Sequence, residues 1–157
     1  MQLKIIAIGK TDHSAILELQ ELYSKRLQHY IRLDWEIIPD LKNTKSLQES
    51  QQKSKEGEAI LKKISPTDWV ILLDEKGKSM TSMEFSAFLQ GKMNVGIKQL
   101  VLVIGGPYGF SDAVYQRANG KISLSKMTFS HQMIRIFLAE QIYRAFTILR
   151  GEPYHHE

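Results

Sequence analysis

Three short segments of this chain carry residue types whose spacing suits chemistry. The first is Gly105-Gly106-Pro107-Tyr108-Gly109. Glycines let a backbone turn sharply and let a ligand come close to main-chain N–H and C=O groups. Pro107 fixes its own φ and biases Gly106 towards an extended shape, so the loop is preorganised. Three glycines and a proline in five residues exceed what a plain strand-to-helix turn needs. The pattern is not G-x-x-x-x-G-K-[ST], and it is not a G-x-G-x-x-G after an early strand. Neither common nucleotide loop is therefore supported.

The second segment is Leu124-Ser125-Lys126-Met127-Thr128-Phe129. It mixes two hydroxyls, one cation and three apolar side chains. Such a segment could wrap a flat apolar ring and offer backbone groups to its polar edge. Read blandly, it is a connecting loop before a helix capped by Ser130. The third segment is the tail, Tyr154-His155-His156. Tyrosine and histidine rings can stack on unpaired RNA bases. Two adjacent histidines make no metal site alone, and no further ligand set accompanies them.

The elements that must position these segments are legible from periodicity. Residues 3–8 form a short apolar run ended by Gly9, which predicts a buried strand. Residues 14–30 repeat apolar groups at a helical period, with Asp12 or Ser14 as candidate caps. Residues 33–38 alternate and then meet Pro39, a second strand. Residues 40–57 are polar and charged, a surface loop that turns helical in its later part. A third strand at 69–73 is followed by a turn at 74–78. A helix follows at 82–93, with Phe85, Phe88 and Leu89 inward. Residues 99–104 are the most apolar strand and should be central. Ser111 caps a short helix to Asn119, and a fifth strand covers 122–124. Ser130 caps a long helix to Arg150, stopped by Gly151. Strands alternating with helices predict an α/β fold with a mostly parallel sheet of five to six strands, as one domain over residues 1–157. In such sheets, ligands bind beyond the carboxyl ends of the strands. Leu73-Asp74, the glycine loop and residues 124–129 all stand at such ends.

The last helix has two apolar faces. Ile134, Leu138, Ala145 and Leu149 share one, and Ile136, Ala139 and Tyr143 share the other. A second apolar face fits either a homodimer contact or deep burial within one chain. Glu140 and Arg144 are spaced for a salt bridge. His131 lies near the positive end of this helix, which favours a neutral imidazole.

Composition narrows the classes. The 157 residues hold 21 Lys and Arg against 17 Asp and Glu, a net charge of +4. That leans towards a polyanionic partner, and with no basic arm any nucleic acid would meet a folded surface. Cysteine is absent, which excludes a disulfide scaffold, a thiol nucleophile and thiolate zinc. No run approaches the roughly 18 apolar residues of a membrane span. The first residues lack the long apolar region and cleavage site of a signal peptide. The expectation is a cytoplasmic protein that binds neither membrane nor metal.

Taken in series, the motifs resemble a family. Gly-Gly-x-x-Gly at 105–109 is followed by Leu-Ser-x-Met-Thr-x-x-His-Gln at 124–132. Arg-x-x-x-x-Glu-Gln-x-Tyr-Arg-Ala follows at 135–145, then Pro-Tyr-His at 153–155. With the opening Leu3-Lys4-Ile5-Ile6-Ala7-Ile8-Gly9-Lys10 and the length, this resembles the RlmH-type rRNA methyltransferases of the SPOUT superfamily over the whole chain. The resemblance implies an α/β fold with a deep C-terminal trefoil knot, and a homodimer. It implies S-adenosylmethionine as cofactor, held by Leu73, Gly105, Leu124, Ser125, Lys126, Met127, Thr128 and Phe129. The substrate it implies is a pseudouridine in the helix 69 hairpin of 23S rRNA in the assembled ribosome, methylated at N3. A sulfonium methyl is already activated, so no metal is needed. Tyr154 or His155, from the same chain or its partner, would position the base or aid loss of the N3 proton. Arg135 is a candidate RNA contact. Two other readings stay open: a SPOUT enzyme acting on tRNA, and a non-catalytic ribosome-binding protein of the same fold.

Overall fold

The apolar runs near the N-terminus and at 99–104 lie side by side in the middle of one sheet. A computed structural model describes residues 1–41 and 47–155. The strands are β1 (Gln2–Ile8), β2 (Leu33–Ile38), β3 (Trp69–Ser79), β4 (Gln99–Ile104) and β5 (Gly120–Ser123). Their order is β2-β1-β4-β3-β5, and every pairing is parallel. β4 is central, as its composition predicts. Strands buried on both faces read as continuous apolar runs, because neither side of the pleat meets water.

The pleat divides the core into two layers. Leu3, Ile5, Leu100, Leu102 and Ile104 face helices α1 (Ser14–Leu27), α3 (Ser82–Asn94) and α5 (Met133–Arg150). Ile6, Ile8, Val70, Leu72, Val101 and Val103 face α2 (Glu49–Leu61) and α4 (Asp112–Arg117). Every crossover returns the chain to the same end of the sheet. The carboxyl ends of all five strands therefore share one edge.

Several boundaries differ from the sequence reading. β3 does not stop at Leu73. Leu73 and Lys78 both stand opposite Ile122, so residues 74–77 bulge outwards and the strand then re-pairs with β5. The turn expected at 74–78 is this bulge, closed by Asp74 Oδ1 accepting from Lys76 N at 2.7 Å. Gly77 is required there, since a β-carbon would lie 2.4 Å from the Ile122 backbone. Helix α1 is preceded by His13, which makes no side-chain cap, so neither Asp12 nor Ser14 holds that place. Helix α4 ends early because Asn119 pairs instead with β3, accepting from Val70 N and donating to Val70 O. Ser130 caps a turn ahead of α5, accepting from Met133 N at 3.2 Å, and the helix proper begins at Met133. The early part of the polar segment at 40–57 falls largely at 42–46, outside the described residues. Its later part is α2.

The two apolar faces of α5 find much of their cover within the chain. Helix α5 runs between α1 and α3. Ala139, Ile142 and Phe146 are buried. Tyr143 packs its ring against Tyr23 and Tyr30 of the α1 segment. Phe129, Met133 and Phe137, at the start of α5, stay partly exposed.

Candidate active site

The shared edge of the sheet opens into a cleft of about 750 Å3, the size class of small-molecule sites. Leu73, Gly105, Leu124, Ser125, Met127, Thr128 and Phe129 all line it. The fold thus gathers seven of the eight residues named for the cofactor. Lys126 is not on the wall.

Local chemistry shapes each side. Gly109 N donates to Gly106 O at 3.1 Å, and Gly109 takes the left-handed φ of 77° that glycine tolerates. Pro107 supplies the first corner of this turn. A β-carbon on Gly105 would sit 3.0 Å from the Phe110 ring, so anything larger than glycine crowds the cleft floor. On the facing loop, Ser123 Oγ donates to Ser125 O, and Ser125 Oγ accepts from Met127 N. Phe129 packs on Phe137 with ring centroids 4.7 Å apart. The result is a strip of backbone flanked by Leu124, Met127 and Phe129.

The opposite wall is acidic. Asp74 lies where β3 bulges, and the Tyr115 hydroxyl donates to its carboxylate. Burial first, and then this bond, push the Tyr115 phenol up to about 12, so it stays a donor. Among the described lining residues, Glu49, Asp74, Glu75 and Asp112 outnumber Lys53 and Lys76. Such a wall favours a cationic ligand. The sequence places Leu73-Asp74 at a strand end here, but gives no sign that Tyr115 joins Asp74, because the two are 41 residues apart.

Arg135 requires a correction. It is fully buried. Its guanidinium donates to Ile8 O, Gly9 O and Thr11 Oγ1, and its Nε donates to His131 O. It ties the start of α5 to the end of β1 and does not reach RNA. His131 itself lines the cleft.

The tail lies away from the cleft of its own chain. Arg144 Nη2 and Nε both meet Glu140 Oε1, at 2.6 and 2.9 Å, the salt bridge expected from their spacing. Tyr154 donates to the same oxygen at 3.2 Å, meets Tyr143 edge-to-face and lies under the Arg144 guanidinium. His155 Nδ1 is 3.4 Å from Arg144 Nη1. The Tyr30 hydroxyl donates to Glu152 and so pins the approach to this cluster. Burial above all holds the Tyr154 phenol above the ordinary tyrosine range. In this conformation its hydroxyl donates to Glu140. Ile134 lines the cleft, and ten helical residues separate it from Arg144, about 15 Å of rise. His156 lies outside the described residues.

Comparison with known proteins decides the family. The family model described as "Predicted SPOUT methyltransferase" matches residues 1–155. The chain belongs to the SPOUT methyltransferase family. It is 63% identical over 157 residues to the Ribosomal RNA large subunit methyltransferase H of Flavobacterium johnsoniae, covering all of both chains. The protein of the same name in Christiangramia forsetii is 62% identical over 156 residues, 99% of each chain. That of Bacteroides thetaiotaomicron is 56% identical over the full length of both.

A SPOUT methyltransferase draws its methyl group from S-adenosylmethionine, and the cleft suits that group on its own features. The cofactor carries an apolar ring with a polar edge, a sulfonium and an ammonium. The cleft presents a backbone strip between apolar side chains, a glycine floor and an acidic wall. Among the described residues, no group of three or more His, Asp or Glu could hold a metal ion. No helix of the described residues is long and apolar enough to cross a membrane.

Proposed function

We propose that this SPOUT methyltransferase transfers the methyl group of S-adenosylmethionine to N3 of a pseudouridine in the helix 69 hairpin of 23S rRNA, in the assembled ribosome. It would act in the cytoplasm, as a homodimer. The observation that carries the reading is the meeting of Leu73, Gly105 and loop 124–129 in one cleft. The name its relatives share supports a large-subunit rRNA substrate.

Each residue then has a task. Backbone groups of Leu124, Ser125, Met127, Thr128 and Phe129 hold the adenine edge, while Leu124 and Phe129 cover its faces. Lys126, off the wall, spaces Ser125 from Met127 within the loop. Gly105 leaves room for the methionine part, and Leu73 closes the side. Asp74, steadied by Tyr115, complements the positive charge. The bound cofactor supplies an activated methyl on a sulfonium. The protein's remaining work is to present N3 in line and to accept or guide its proton.

Tyr154 and His155 do that work from the partner protomer. The distance along α5 keeps them from the cleft of their own chain, so a two-fold pairing is what brings them near one. The exposed Phe129, which lines the cleft, and the exposed Met133 and Phe137 of α5 provide an apolar surface for that pairing. The trefoil knot belongs to the same proposal, with loop 124–129 as the segment it holds.

Methyl transfer from labelled S-adenosylmethionine to intact ribosomes, free rRNA and tRNA tests the reading. Label confined to ribosomes, recovered as N3-methylpseudouridine from the hairpin, is the expected result. Label in tRNA would replace the substrate. Cofactor binding without transfer to any RNA would contradict the enzymatic reading of this chain.

A further inference from the structure

Helix α2 has no part in the chemistry described so far, yet one of its faces reaches the cleft. Glu49 and Lys53 line it, and Glu56 follows at the spacing that keeps all three on one side of the helix. Glu56 is only 4% exposed. Its Oε1 accepts from Gln52 Nε2 at 2.8 Å. Its Oε2 is buried and has no hydrogen-bond partner among the described residues.

That free oxygen is aimed at the glycine loop. A β-carbon on Gly106 would lie 2.3 Å from Oε2, 2.9 Å from Cδ and 3.0 Å from Oε1. The carboxyl group therefore occupies the space of the side chain that Gly106 lacks. The next residue acts at the other end of the loop. A β-carbon on Gly57 would fall 2.2 Å from Ser111 Oγ and 3.3 Å from Val114. One turn of α2 thus packs closely against Gly106 and against Ser111, just beyond the loop that forms the cleft floor. An apolar side chain would have filled this place without desolvating an acid. A buried polar group with a free atom calls for a reason beyond packing.

We propose that Glu56 is a positioning residue, which acts through its carboxyl group on Gly106 to fix the glycine loop in the shape that receives S-adenosylmethionine. This rests on the cofactor reading above. Burial raises the titration of this carboxyl, the Gln52 bond opposes that, and Asp40, facing it from beyond β2, raises it further. When protonated, such a carboxyl keeps an acceptor for Gln52 and gains a proton to donate.

Two substitutions separate positioning from packing. Glu56→Met keeps the volume and removes both polar atoms. Glu56→Gln keeps a neutral acceptor and donor. Calorimetric titration with S-adenosylmethionine, thermal midpoints and steady-state kinetics are measured on each full-length variant. For Glu56→Met, the thermal midpoint is expected to hold or rise. Its dissociation constant and KM for the cofactor should rise about tenfold, with kcat at saturating cofactor within about twofold of wild type. Glu56→Gln should bind within about threefold of wild type. Cofactor affinity of Glu56→Met equal to wild type would overturn the proposal, as would Glu56→Gln binding as weakly as Glu56→Met. Wild-type protein that binds no cofactor would instead remove the reading beneath it, and the proposal with it.

Discussion

Arg135 shows how a residue's type can mislead about its task. An arginine near the start of a helix, in a basic chain, reads as an RNA contact. Its four donated bonds instead converge on the end of β1 and the turn before α5. The two carbonyls at the end of β1 come from more than 120 residues away in sequence, so no local pattern announces them. This buried guanidinium, with no ion pair among the described residues, is tolerated because backbone and hydroxyl oxygens satisfy it. Arg135→Met should therefore cost about 3 kcal/mol of stability, by stranding these acceptors. Urea denaturation measures this. Unchanged stability with weakened ribosome binding would restore the RNA-contact reading. Glu140 and Arg144 were easier, because an i,i+4 pair is defined within one helix turn. Gly105 and loop 124–129 were legible as a site because their composition is unusual for connectors. Their meeting in one cleft follows once the strands before them run parallel.

At the scale of elements, the alternation of strands and helices conveys most of the fold. Uninterrupted apolar runs identify strands buried on both faces, and β4 proves central. What periodicity does not show is the bulge in β3, because Asp74-Glu75-Lys76-Gly77 has the composition of a plain turn. Only the re-pairing of Lys78 and Ser79 with β5 distinguishes the two. Gly77→Ala is a direct test of that bulge. Its methyl would press on the Ile122 backbone, so a loss of about 2 kcal/mol in stability is expected. A plain exposed turn at this position would lose little. Helix α2 was partly hidden by its polar composition, and its buried acid gives it a pH signature. Glu56 titrates above 4.5 in the folded chain, so the folded state holds this proton longer than the unfolded one. The stability it contributes is complete below the unfolded value and is lost as pH rises through the native one. Glu56→Gln should be the more stable protein at about pH 8, and the advantage should shrink at about pH 5. Denaturation midpoints at the two pH values give the comparison.

For the whole molecule, the central consequence of the geometry is that one chain's tail and cleft are apart. Helix α5 separates them, with its first turn at the cleft and the Tyr154 cluster towards its other end. The apolar stripes of α5 suggested a dimer from sequence, yet α1 and α3 explain much of that character. Exposed Phe129, Met133 and Phe137 and the reach of the tail are what favour pairing. Mixing protomers tests it. Gly105→Val and Tyr154→Ala proteins should each be inactive alone. Co-expressed, they should recover about a quarter of wild-type activity, since half of random dimers would carry one intact composite site. No recovery from verified mixed dimers would place the tail in its own chain's site.

The measurement closest to the central claim is calorimetric titration of the wild-type protein with S-adenosylmethionine, alongside Gly105→Val. The expected result is saturable binding to wild type and a loss of at least about tenfold in the variant, whose branched side chain would crowd Phe110 and fill the cleft floor. Equal binding by a folded Gly105→Val protein would contradict a cofactor site on the glycine loop.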